Sequence, residues 1–291
     1  MSINAVSSTQ GTRAWLTNSR HARILHVFDR VCNLINESRE VLSIVSRRIG
    51  NGPFNLVIEG DVFFSDHLDA ESLISIRADQ LHLGDLTINT ADAQLWSARP
   101  DWESLHTNKD SILNQLASLP FTNYQKHGLD TPFAKTAQGY STTTNVQSLI
   151  SNLSSALANA DIPTVLTLTS QLAGLGAGLT PAGDDFLFGS MLAAWIIHPP
   201  EIARVLSEEI THTAVPLTTS LSAAWLKSAG RGESGILWHE FFGALISTDP
   251  MSVQESMDKI LSVGETSGAD ALAGFIGTLT CKAESTSSKI L

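Results

Sequence analysis

The sequence predicts an α+β protein, with an N-terminal β-rich, barrel- or sandwich-like domain followed by a mostly α-helical C-terminal domain. Two observations predict it. Between about residues 23 and 98, short β-branched runs alternate with turn signals. From about residue 145 onward, apolar residues recur at helical spacing behind recognisable helix starts.

Taken in order, residues 1–20 are polar and are expected to form a mobile leader. Strands are expected at Ile24–Phe28, Val31–Ile35, Val41–Val45, Phe54–Ile58, Ser72–Ile76, Gln80–Leu83 and Leu86–Ile88. Turns at Asn36-Glu37-Ser38, Gly50-Asn51-Gly52-Pro53, Gly60-Asp61 and Gly84-Asp85 separate them, a spacing that suits a small antiparallel barrel or sandwich. A helix is expected at about 101–118, closing a β-rich domain over 21–118. Pro120, Gly128, Pro132 and Gly139 then mark residues 119–144 as a linker or long loop. The helical domain, 145–281, has candidates at 145–159, 163–173, 181–197, 200–212, 215–229, 234–247, 251–262 and 267–281. The tail from Lys282 is again polar and expected to be mobile.

The whole chain excludes several functions. A net charge of −11 over 291 residues, with no long basic cluster, argues against binding nucleic acid or an anionic membrane. Cys32 and Cys281 have neither metal-type spacing nor partners for a disulfide framework, which fits a reducing compartment. The longest charge-free helical core, Phe186 to Ile197, falls short of the ~18 residues of a membrane span. No signal-peptide hydrophobic region opens the chain. Arg13, Arg20 and Arg23 before the first acid, Asp29, only faintly echo a transit peptide, so a cytoplasmic location is expected.

The densest chemistry lies at Gly174-Leu-Gly176-Ala-Gly178-Leu-Thr180-Pro181-Ala-Gly183-Asp184-Asp185. Alternate glycines let a ligand approach backbone N–H groups. Thr180 suits an N-cap and Pro181 the first helical position. Such a terminus favours an anion such as phosphate or carboxylate. A second segment repeats the grammar: Gly178-x-Thr180 then Gly183-x-Asp185-x-Leu187-x-Gly189 compares with Gly264-x-Thr266 then Gly268-x-Asp270-x-Leu272-x-Gly274. In each copy Asp and the later Gly share a helix face. The helices behind them are apolar nearly all round, hence buried, and their first-turn carboxylates are expected to face a cavity or each other.

Two readings of these starts stand side by side. Asp in a first turn stabilises the helix dipole, and Ser267-x-x-Asp270 could be a capping box. The duplication and the preceding glycine run, which capping does not require, favour a site. Asp184 has Ala269 as its counterpart and is the more distinctive carboxylate: a base, an acceptor or a magnesium ligand. Asp184, Asp185 and Asp270 are therefore the catalytic candidates. Gly174, Gly176, Gly178, Thr180, Gly183, Thr266, Ser267 and Gly268 are the ligand-binding candidates, and a magnesium ion at Asp184 and Asp185 is the one metal considered. Ser220, in Thr218-Thr219-Ser220-x-Ser222, could donate to the same anion or simply cap its helix. Asn51 sits in a rigid turn that a plain hairpin would also explain. His212 and His239 lack partners at ligand spacing, and neither a G-x-S-x-G elbow nor an H-E-x-x-H motif occurs.

The segment GLGAGLTPAGDDFLFGSMLAAW resembles the AllH family, as do VFDRVCNLIN with Gly-Asn-Gly-Pro, TTSLSAAWLKSAGRG and LSVGETSGADALAGF. The resemblance spans about residues 23–280. Ala177 departs from a common Gly-Pro-Gly version. The resemblance implies a subunit of an oxamate carbamoyltransferase of allantoin (purine) breakdown, a transferase that converts oxalurate and phosphate into oxamate and carbamoyl phosphate. It also implies partner subunits and a small anionic substrate. A non-catalytic ligand-binding or scaffolding subunit is the alternative.

Overall fold

The structure, a computed structural model, describes residues 1–77, 79–118 and 143–287. The linker expected at 119–144 thus lies almost wholly outside the described residues. The chain divides into two compact units: Met1–Ala98 with Ser234–Ile236, and Arg99–Glu233 with Leu237–Leu291.

The first unit is a sheet of nine strands that nearly closes into a barrel. These are β1 (Ser2–Ser8), β2 (Ala22–Val27), β3 (Val31–Asn36), β4 (Val41–Ser46), β5 (Asn55–Ile58), β6 (Ile74–Arg77), β7 (Gln80–Leu83), β8 (Leu86–Asn89) and β9 (Gln94–Leu95). Their order is β2-β3-β4-β5-β1-β8-β7-β6, with β9 also on β1. Inward residues such as Leu34, Ile44, Leu56, Phe64 and Leu81 make a fully buried core. Helix α1 (Gln10–Asn18) follows β1, capped by the Thr9 hydroxyl, which accepts from the Thr12 N–H at 3.0 Å.

Two expectations are corrected here. The leader is not mobile: β1 is the hub of the sheet, pairing with β5, β8 and β9, and Ile3 and Ala5 are buried. Nor is the sheet uniformly antiparallel, because β4–β5, β1–β8 and β1–β9 are parallel pairs. Gly50-Asn51-Gly52-Pro53 is therefore no hairpin turn but part of a crossover. Gly50 takes a left-handed φ of +81°, and the Asn55 side chain donates to its carbonyl at 3.0 Å.

The second unit is helical: α2 (Trp102–Thr107), α3 (Lys109–Ser118), α4 (Thr143–Ala158), α5 (Ile162–Leu172), α6 (Ala182–Ile197), α7 (Pro200–Ala214), α8 (Ser220–Gly230), α9 (Ile236–Ser247), α10 (Pro250–Leu261) and α11 (Ser267–Ser287). The single helix expected at 101–118 is two, α2 and α3. The polar tail is helical as far as Ser287, and the Lys282 ammonium donates to the Ala158 carbonyl at 3.0 Å.

At the centre of this unit α6 crosses α11. Every residue of α6 is buried except Asp185. The crossing is close because it is glycine on backbone: a Cβ at Gly189 would strike the Ala271 carbonyl, and one at Gly274 would strike the Phe186 carbonyl. Each glycine thus sits on the residue that follows the other copy's aspartate, so the sequence repeat is a local two-fold pairing. The Ser190 hydroxyl adds a bond to the Gly274 carbonyl at 3.2 Å.

Overpacking a close backbone contact costs about 1–3 kcal/mol and sometimes more. Gly189→Ala and Gly274→Ala should each lose at least that much in urea unfolding. Gly243→Ala in α9, where a Cβ meets nothing within 4 Å, should be neutral or gain up to ~1 kcal/mol from helix propensity. Equal stability of all three variants would refute the backbone-contact account.

Candidate functional site

The two helix starts lie side by side. The Thr180 and Ser267 hydroxyls are hydrogen-bonded at 2.9 Å. This corrects two expectations. Pro181, not Thr180, is the N-cap of α6, and no side chain caps it. Ser267 is already the first residue of α11, and its hydroxyl bonds Thr180 instead of closing a capping box with Asp270. Both side chains that local rules assign to capping tie one copy to the other.

The glycines separate into two kinds. Gly183 and Gly268 pack onto the end of the helix before them: a Cβ would collide with the Leu172 carbonyl at the first and the Ile260 carbonyl at the second. The Gly183 N–H donates to the Leu175 carbonyl at 2.8 Å, so this part of the helix terminus is closed to a ligand. Gly174 and Gly176 also touch protein, at Leu217 and Ala182. Gly178 differs. Its φ is +98°, a Cβ there would meet open space, and the loop around it is exposed. Among the described residues no protein acceptor takes the N–H groups of Gly176, Ala177, Gly178 or Thr180.

The three carboxylates have three different environments. Asp184 is fully engaged: it accepts from the Gly174 N–H at 2.9 Å and from the Thr218 hydroxyl. It fastens the glycine loop to the segment before α8. Burial raises its pKa, and these donors pull it back. Asp270 is wholly buried, and neither oxygen has a hydrogen-bond partner. Burial pushes it up to about 7, with the nearby Thr266 hydroxyl opposing more weakly. Asp185 is partly exposed, yet its Oδ2 is buried without a partner. Burial raises it well above the usual carboxylate range; the Ser267 hydroxyl opposes this, while the charges of Asp270 and then Asp184 add to it. Asp185 thus feels the charge of Asp270, and both carboxyls are short of donors.

A magnesium ion fits poorly. Both oxygens of Asp184 are taken, and among the described residues no three His, Cys, Asp or Glu side chains converge to hold a metal. Of the remaining candidates, Thr266 gives its carbonyl to the Asp270 N–H at 2.9 Å. Ser220 is the first residue of α8, whose cap is Thr219. Asn51 belongs to the sheet unit, where its carbonyl accepts the Ile236 N–H at 2.9 Å. Thr218 and Thr219 are the residues that sequence reasoning undervalued. Thr218 serves Asp184, and the Thr219 hydroxyl donates to the Leu179 carbonyl at 2.6 Å. The available signal was a run of three hydroxyl residues where capping needs one.

Residues 172–279 match the family described as oxamate carbamoyltransferase subunit AllH, and residues 4–95 match the AllH family N-terminal domain. The chain belongs to the AllH family. The first match runs from the end of α5 into α11 and contains both helix starts; the second spans almost the whole sheet. The AllH description is that of a subunit of oxamate carbamoyltransferase, and a subunit has partner chains. No solved structure matches the chain. Among the described residues no helix is long and apolar enough to cross a membrane.

Because folding raises the pKa of Asp270 to about 7, its proton stabilises the folded state fully below pH ~4 and that contribution is lost as pH rises through about 7. Asp270→Asn should therefore flatten the pH dependence of stability. It should exceed wild type at pH 8 by up to roughly 4 kcal/mol in urea unfolding. Parallel pH profiles for the two proteins would show that Asp270 is not held protonated.

Proposed function

We propose that this chain is the substrate-binding, catalytic subunit of an oxamate carbamoyltransferase, with its site at the Gly174–Asp185 start and the facing Thr266–Asp270 start. The carrying observation is the Asp185–Asp270 pair, buried carboxylates without enough donors, with Asp185 alone on α6 reaching partial exposure. A carbamoyl or amide NH2 group supplies what such a pair lacks. The unbonded N–H groups of residues 176–178 and of Thr180 suit the anionic end of the same substrate.

In the direction of phosphorolysis, a phosphate oxygen bonds the carbamoyl carbon of oxalurate and the bond from that carbon to the oxamate nitrogen breaks. The nitrogen gains a proton and phosphate loses one. A carboxyl pair that shares a proton near neutral pH suits this relay. Asp185 touches the amide, Asp270 holds its proton, and Asp184 positions the loop. This division refines a reading in which all three carboxylates act directly, because Asp184 is already saturated with donors. The location of the enzyme is read as cytoplasmic, from composition alone.

A non-catalytic, scaffolding subunit is the second reading. What favours it is that Gly183, Gly189, Gly268 and Gly274 all serve close packing.

The deciding assay is phosphorolysis of oxalurate by this protein with its partner subunits. Asp185→Asn should reduce kcat about 10²–10⁴-fold while the complex still assembles. Full activity in both Asp185→Asn and Asp270→Asn would overturn the catalytic role. Calorimetry on the isolated chain separates the second reading, which expects no heat with oxamate.

A further inference from the structure

The acidic balance of the chain conceals a local reversal. A cleft of about 660 Å³ in the helical unit is lined by Arg99, Arg204, Lys227, Arg231 and His212, beside Trp195. The chain has 18 Lys and Arg against 29 Asp and Glu, yet here four cationic side chains meet two carboxylates, Glu201 and Glu208. Arg204 pairs with Glu208 at 3.4 Å, and Arg231 with Glu233 at 2.6 Å. Among the described residues Lys227 has no ion-pair partner.

The wall is built, not draped. The Arg99 guanidinium lies 4.8 Å above the Trp195 ring and donates to the Arg231 carbonyl at 2.6 Å. The Trp195 indole N–H donates to the Ala229 carbonyl at 3.0 Å, and the Thr211 hydroxyl bonds the Leu226 carbonyl at 3.2 Å, joining α7 to α8. Stacking and a backbone bond leave one guanidinium preorganised. Crowding like charges this way opposes folding unless an anion offsets it.

The cleft is separate from the carboxylate pair. Asp184 meets the start of α8 through Thr218, and Trp195 meets its end through Ala229, so α6 and α8 run parallel. Asp184 and Trp195 are about eleven residues apart on α6, roughly 16 Å at 1.5 Å per residue. One small substrate cannot span that distance.

We propose that this cleft binds the phosphate group of a small metabolite. With Glu233 counted, four cationic side chains meet three carboxylates, and the positive charge left over at Lys227, together with the arginine forks, suits the oxygens of a phosphate group. The inference does not depend on the carbamoyltransferase reading.

Calorimetric titration of the full chain at low salt, with inorganic phosphate and separately with ADP, tests it. Saturable binding is expected, weakened at least tenfold in an Arg204→Ala/Lys227→Ala double variant and unchanged in Asp185→Asn. Both replaced side chains reach solvent, so the double variant should keep the wild-type Tm. Tighter binding of ADP than of phosphate assigns the group to a nucleotide, and equal binding assigns it to free phosphate. The proposal is overturned if neither probe binds, or if the double variant retains full affinity. It is also overturned if binding is lost in Gly178→Ala instead, a result that would move the anion to the glycine loop and leave the proposed function standing.

Discussion

Where α6 crosses α11, each helix lays a glycine against the backbone carbonyl of the other, and much of the helical unit follows from that contact. Helices this close leave room for little beyond small and apolar side chains along the seam, where the Ser190 hydroxyl bonds the Gly274 carbonyl. The same closeness draws the first-turn carboxylates of both copies toward the interior. Their raised pKa values are a consequence of how the helices pack: burial raises both, and the charge of Asp270 adds to the cost of ionising Asp185. A packing device and a chemical device share one set of residues.

The difference between neighbours Asp184 and Asp185 shows how finely this works. One residue of rotation on α6 turns Asp184 toward Gly174 and Thr218, where it finds donors for both oxygens. The same rotation points Asp185 toward Asp270 and Ser267, where donors are scarce. The first carboxylate holds a loop; the second is left to meet something the protein does not supply. The cationic cleft at the far end of α6 and α8 is a second, opposite electrostatic surface.

The helices were legible because their signals are local: apolar spacing, Pro181, Pro200 and Pro250 near first turns, and Asp161 and Asp249 as caps. So was the pairing of the helix starts, since a repeat can be read without a structure. The first strand was not. Of Ser2–Ser8 only Ile3 and Ala5 carry a buried alternation before two serines, and its three partners lie far along the chain. Thr180 was read as a cap because capping is a local rule, whereas its partner Ser267 stands 87 residues away. The cleft was illegible for the same reason: its cations come from the segment before α2, from α7 and from the end of α8, and charge density along the sequence does not show what converges in space.

The central claim is that Asp185 and Asp270 meet as a pair that holds a proton at neutral pH. Carbon-detected NMR titration of the aspartate carboxyls, with Asp185→Asn and Asp270→Asn to assign them, measures this directly. The account predicts one carboxyl titrating near 7 and a second displaced above the ordinary range, each shifting when the other is replaced. Ionisation of both below pH 5, each indifferent to replacement of the other, would contradict it.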